Sequence, residues 1–164
     1  MFSPRDAPSP TASELIVGMF RKLARFRGSN DVAVAEEAMR TLCARMSAEA
    51  ADRVWSSAIL LDNELRHRRG EGLTLNPEGS TQVSPHEELI LALLCAAQTR
   101  NGWEALEAAK QLGATGGALL LDAAIRLGDD LRSAAVFLPQ AASGEPLGFD
   151  PRPSTGWLYR PPSI

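Results

Sequence analysis

Cysteine, histidine and aromatic residues are all scarce here. The 164 residues include two cysteines, two histidines and one tyrosine, with aromatics at 5%. Two isolated cysteines in apolar stretches make no disulfide framework, so Cys43 and Cys95 are expected as free, buried thiols. Glu64-x-x-His67 has the spacing that di-iron bundles use, but such sites need a second copy, and Val83 stands three residues before His86. With no H-E-x-x-H and no cysteine pair, no metal site is expected. A G-x-S-x-G elbow and a plausible triad are both absent, so no catalytic residue and no cofactor is expected, and the chain reads as a non-enzyme.

Long apolar runs are missing too. The longest unbroken one, "LILALLCAA" at 89–97, is too short to cross a bilayer. The opening "MFSPRDAPSP" has no basic stretch leading into an apolar one, so a cytoplasmic location without membrane association is the expectation. Lysine is rare: fifteen of the seventeen basic residues are arginine, the bias that GC-rich coding gives, and a bacterial source is expected. The net charge of −3 supplies no global attraction to nucleic acid or anionic lipid.

What remains is ordinary for a globular domain, with 45% apolar and 23% charged residues. The fold class predicted is mainly α: a bundle of about six helices, one small β-hairpin at 73–83, and an extended C-terminal arm. Residues 1–10, with three prolines, form a loose leader. The helical domain runs over 11–138. "TASE" is a capping box with Thr11 as N-cap, and Leu15, Met19, Leu23 and Phe26 follow at helical spacing until Gly28. Asp31 opens a second helix with the stripe Ala35, Met39, Leu42 and Met46. Ser47 caps a long third one that buries Val54, Ala58, Leu61 and Leu65. "SPHE" opens a fourth, apolar all round and hence central, with Ser84 as N-cap, Pro85 at N1 and Glu87 closing a capping box. Trp103–Leu112 is a short helix ended by Gly113. Thr115 starts another that stops at Gly128, and Asp129 caps a last one ending before Pro139. Ala92–Gly102 and Ala118–Gly128 match at six of eleven positions, which two Ala/Leu-rich helices ending in glycine give by composition alone. In "GATGGA" (113–118) no P-loop pattern accompanies the glycines, so they read as points of close helix approach.

"LTLNPEGSTQV" (73–83) interrupts the helices. Asn76-Pro77-Glu78-Gly79 suits a tight turn with Gly79 in the left-handed region, and the alternation then pairs Leu75 with Thr81 and Leu73 with Val83. Helix, basic cluster Arg66–Arg69 and hairpin occur in winged-helix order. The third helix, however, begins "SAEAAD", small and acidic where a recognition helix reads bases. Asp62 can pair with Arg66, and Glu64 with Arg68, at i,i+4. Arg66, Arg68 and Arg69 are therefore nucleic-acid contacts only in an alternative reading, that of a DNA-associated regulator. A helix-turn-helix spacing at Ala109–Ala124 would present Gly116, Gly117, Leu120 and Leu121, none of which bonds a base edge. Arg21, Lys22, Arg25 and Arg27 make the densest basic stretch. Arg21 and Arg25 stack opposite the apolar stripe, a solvated face that would be a contact for an acidic partner or, in the DNA-associated alternative, for a nucleic acid backbone.

Residues 139–164 hold six of the eleven prolines together with Leu147, Phe149, Trp157, Leu158, Tyr159 and Ile164. Disorder is poor in aromatics, so an extended arm anchored on its own helices or on a second copy is expected. Phe149, Trp157, Leu158 and Tyr159 are the candidate contacts, and a homodimer through the arm is the expectation. The function implied is non-catalytic, a regulator or adaptor working through protein–protein contacts. A small-molecule-binding helical domain is a further alternative.

Overall fold

In a computed structural model, which describes residues 9–69, 71–114 and 117–140, the chain forms six α-helices. They are α1 (Ala12–Ser29), α2 (Val32–Cys43), α3 (Ala48–Arg68), α4 (Pro85–Gln98), α5 (Gly102–Gln111) and α6 (Ala118–Ser133). Their starts follow from short polar caps. Thr11 and Glu14 close one capping box, with the Thr11 N–H donating to Glu14 Oε2 (2.7 Å) and the Glu14 N–H to Thr11 Oγ1 (3.2 Å). Ser84 and Glu87 close a second, with Pro85 in the first turn. Asp31, Ser47 and Asn101 cap α2, α3 and α5.

α1, α3, α6 and α4 touch one another in a closed circuit; α2 lies against α1 and α3, and α5 against α4. The core fills the middle of that circuit. Phe20 and Ile16 of α1, Leu61 and Leu65 of α3, Leu93 and Leu94 of α4, and Leu127 and Leu131 of α6 have essentially no exposure. On α2 the buried line is Val34, Ala38 and Leu42, rotated by one position from the predicted stripe, of which only Leu42 is buried. Cys43 is exposed and Cys95 half-buried, so the expectation of buried thiols fails for the first. No described helix is long and apolar enough to cross a membrane.

Three boundaries differ from the sequence expectation. α1 passes through Gly28 and ends at Asn30, whose φ of 53° supplies the left-handed cap that asparagine tolerates. Gly128 does not end a helix, and Asp129 does not start one. α6 runs unbroken across both, and a Cβ on Gly128 would lie 3.4 Å from Ala97 Cβ and from Gln98 Cγ. That glycine lets α6 approach α4; packing overrides its weak helix propensity. Gly102, its partner in the apparent repeat, opens α5 instead, so the matched segments are not structurally equivalent. Finally, α6 is capped by Gly117 without a side-chain bond; Thr115, the expected cap, lies outside the described residues.

The predicted β-hairpin is absent: among the described residues there is no strand. Its turn does form. The Ser80 N–H donates to the Pro77 carbonyl (3.2 Å) and Gly79 has φ 82°. Side chains have taken the groups that a ladder would use. The Thr74 N–H donates to His86 Nδ1 (2.8 Å) and the Asn76 N–H to Glu87 Oε1 (3.0 Å). Arg21 donates to the carbonyls of Ser80 (2.7 Å) and Gln82 (2.6 Å). Asn76 Nδ2 reaches across the loop to the Gln82 carbonyl (2.9 Å). Buried backbone groups need partners but not necessarily backbone ones, and here the bundle supplies them. Leu73 and Leu75 pack on the core as expected, whereas Val83 is 43% exposed.

Gly79→Val forces a β-branched residue into the left-handed region, at a cost of about 1–2 kcal/mol. A urea unfolding midpoint lowered accordingly is the expected result. An unchanged midpoint would show that the turn contributes nothing to stability.

Candidate functional site

The cations of the two basic clusters are held by acids and carbonyls of the fold. Arg21 was expected on a solvated face, yet it is only 7% exposed. Its Nε and one terminal nitrogen grip both oxygens of Glu87 (2.7 and 2.9 Å), a bidentate pair between α1 and α4, while the remaining donors hold the 73–83 loop. Glu87 also accepts from the N–H groups of Ser84 (2.8 Å) and Asn76. Burial pushes the Glu87 carboxyl up, but Arg21 and then the Ser84 and Asn76 N–H groups outweigh it, and the net shift is downward. The pairing with Glu87 raises Arg21 in turn, against burial.

Lys22 and Arg25 both reach Glu78 at the loop tip (2.6 and 2.5 Å), and both also approach Glu37 of α2. Burial raises Glu78, yet the two cations lower it overall. The would-be wing is thus strapped down onto α1. Arg27 crosses to Asp62 of α3, whose Oδ2 it shares with Arg66. The expected i,i+4 pairs of α3 are present, Arg66 with Asp62 and Arg68 with Glu64. Glu64, half of the di-iron-like spacing, is thereby spent on Arg68, and His67 Nδ1 lies 2.8 Å from the Asn63 carbonyl.

Arg69 donates to the carbonyls of Glu71 (3.0 Å) and Gly72 (3.4 Å) and lies 3.4 Å from His86 Nε2. The Arg68 guanidinium lies where a Gly117 Cβ would stand. Burial, then the nearby Arg69 charge, holds His86 below the usual imidazole range. Among the described residues, no group of three or more His, Cys, Asp or Glu side chains is placed to hold a metal ion.

A different surface carries the larger feature. A groove of about 570 Å³ runs between α4 and α5. Leu89, Leu91, Cys95, Ala108 and Leu138, all buried or half-buried, form its floor. Glu88, Glu104 and Glu107 stand around it, and Trp103, 70% exposed, forms one edge. Lys110 lies 5.7 Å from the Trp103 ring centroid and 3.8 Å from Glu107, the one cation beside these acids among the interactions described.

The far wall is the exit of the chain. Gln98, buried in α4, donates to the Val136 carbonyl (2.9 Å) and accepts from the Leu138 N–H (2.9 Å), while Cys95 Sγ faces the Pro139 carbonyl at 3.6 Å. Residues 138–140 are thereby laid along the groove. No protein-family model matches the chain, and neither the curated proteins nor the solved structures contain a match.

Of the residues singled out in the sequence, Arg21 and Arg25 come together around the loop, and Arg66, Arg68 and Arg69 surround the end of α3. Neither group lines the groove. Phe149, Trp157, Leu158 and Tyr159, with nearly all of the arm, lie outside the described residues. Trp103, Glu104 and Glu107 were not singled out. The register of α5 could have exposed them: Ala105, Ala108, Ala109 and Leu112 define its buried line, and Trp103, two positions before Ala105, falls on the opposite side.

Two outcomes follow from the ion-pair centre. Arg21→Met leaves Glu87 buried without its countercharge and should cost about 3–5 kcal/mol in urea unfolding. Adding Glu87→Leu should recover only part, because Ser80 and Gln82 carbonyls and Asn76 and Ser84 N–H groups still lack partners. Full recovery would show that charge pairing alone matters.

The second outcome concerns pH. Because the folded state depresses His86, the unfolded chain takes up the proton first. The stability due to neutral His86 is complete above the unfolded value of about 6.5 and declines as pH falls below it. Melting temperature should therefore drop between about pH 7 and 5.5, and the slope should flatten in His86→Gln. Glu78 and Glu87 act only below the carboxylate range, outside that window. Equal slopes in both proteins would show that His86 does not titrate as described.

Proposed function

We propose that this is a non-catalytic interaction protein, an adaptor or regulator, which holds an extended polypeptide segment in the α4–α5 groove. The observation that carries this reading is an apolar floor ringed by carboxylates with a 70% exposed tryptophan at its edge. Tryptophan is among the residues most enriched at energetic hot spots of protein interfaces, and exposure on this scale leaves most of its ring to be covered. Lys110 covers one side of it in part, a contact of about 0.5–1 kcal/mol at an exposed site.

The chemistry of the occupant follows from the lining. Leu89, Leu91 and Leu138 accept aliphatic or aromatic anchors, and Glu88, Glu104 and Glu107 favour a cation flanking them. A segment combining two or three apolar anchors with an arginine or lysine suits both. The groove offers space for a few side chains only, so affinity should be modest and the contact reversible. Of the basic groups on which a nucleic-acid reading would rest, Arg21, Lys22, Arg25, Arg27, Arg66 and Arg68 are engaged with Glu37, Asp62, Glu64, Glu78 and Glu87, and Arg69 with the Glu71 and Gly72 carbonyls.

Selection of a displayed random-peptide library on the full chain tests this. Enriched peptides should share apolar-aromatic anchors beside a basic residue, and binding should be lost in Trp103→Ala and in the pair Glu104→Lys, Glu107→Lys. Enrichment of acidic peptides, or binding indifferent to these changes, would overturn the reading.

A further inference from the structure

We infer that the groove is occupied in the resting protein by the chain's own segment Trp157-Leu158-Tyr159-Arg160, so that the partner site is self-capped. This rests on the peptide-holding reading of the groove and names its regulation. The segment has the composition that the lining selects: three large apolar side chains in succession, then one arginine, Arg160, to face Glu88, Glu104 or Glu107. Position favours it as strongly as chemistry. Gln98 holds Val136 and Leu138, and the described chain leaves at Gln140 while still lining the groove.

Trp157 follows Gln140 by seventeen positions, a reach of up to about 60 Å when extended. Coming back to the starting point needs far less. A return loop of this length gives an effective concentration on the order of 1 mM. Against a free-peptide Kd of about 100 µM, that keeps the groove closed about ten parts to one. A partner must then compete with the tether, and anything that withdraws the segment opens the site. Capture of the same segment from a second copy gains no such advantage at low protein concentration.

Cys95 on the groove floor is a built-in reporter, and exposed Cys43 is removed as Cys43→Ser. In that background, alkylation of Cys95 should be about tenfold faster in the full chain carrying Trp157→Ser and Tyr159→Ser than in the parent. A synthetic peptide of residues 153–164, added to the variant, should restore protection, and Glu104→Lys with Glu107→Lys should abolish that rescue. The parent's protection should be the same at about 1 µM and at about 100 µM protein. Protection that appears only at the higher concentration, with doubled mass in light scattering, would replace self-capping by exchange between two copies.

Equal alkylation rates in parent and variant, with no rescue by the peptide, would overturn self-occupancy. A library-selected peptide that still protects Cys95 in that case leaves the groove's function standing. If neither peptide protects, the peptide-holding reading falls with it.

Discussion

Arg21 and Glu87 hold the two halves of the molecule in register. The guanidinium lies between α1 and α4 and makes four hydrogen bonds: two go to the carboxylate and two to carbonyls of the 73–83 loop. Glu87 is at once the closing residue of a capping box, the countercharge of Arg21 and the acceptor for the Asn76 N–H. A helix start, an interhelical contact and a loop conformation therefore depend on one carboxylate. Buried ion pairs rarely add net stability by their charge alone, since desolvation offsets most of the attraction. This one does more because its surplus lone pairs and donors satisfy backbone groups that would otherwise be stranded.

That centre also explains why the loop was misread. The alternation Leu73, Leu75, Val83 and the Pro77–Gly79 turn chemistry are genuine, and Gly79 does take a left-handed φ of 82°. Both are local signals. A hairpin also needs its two arms to prefer each other to anything else nearby, and here Arg21, His86 and Glu87 compete for the same N–H and carbonyl groups at short range. Arg21 comes from about sixty positions away, and His86 and Glu87 from twelve and eleven, so no local pattern announces the competition. The capping boxes at Thr11 and Ser84 were legible for the converse reason, since all their partners lie within four residues. Gly128 failed in the same way as the hairpin: its role is set by Ala97 and Gln98 of another helix.

Charge was legible in total but not in destination. The i,i+4 partners of Arg66 and Arg68 stand out in the sequence, whereas the neutralisation of the α1 cations does not. Glu37, Asp62, Glu78 and Glu87 come from α2, α3, the loop and α4 to meet them. The acids that remain around the groove, Glu88, Glu104 and Glu107, are unremarkable in one dimension because helices commonly carry glutamate on their outer faces. They become a site only when α5 sets them beside Trp103 and the leucines of α4.

Gln98 gives the C-terminal exit the same treatment that Arg21 gives the loop. It is a buried polar side chain, 7% exposed, that spends its amide on the Val136 carbonyl and the Leu138 N–H. Leu138 carries an apolar side chain down to the groove floor, so the segment becomes a wall and not a loose strand. Arg132 reinforces the arrangement by donating to the Gln98 carbonyl at 3.0 Å. The described irregular segments 73–83 and 136–138 are thus each tied to the bundle by a buried polar residue on a helix. One consequence concerns the groove directly. Its shape depends on residues 136–138 staying bound, and beside that amide they are held by the buried Val136 side chain, by the Val136 N–H on the Leu131 carbonyl (2.8 Å) and by Leu138 packed against the core. The groove wall is therefore anchored in the same core that α1, α3, α6 and α4 enclose.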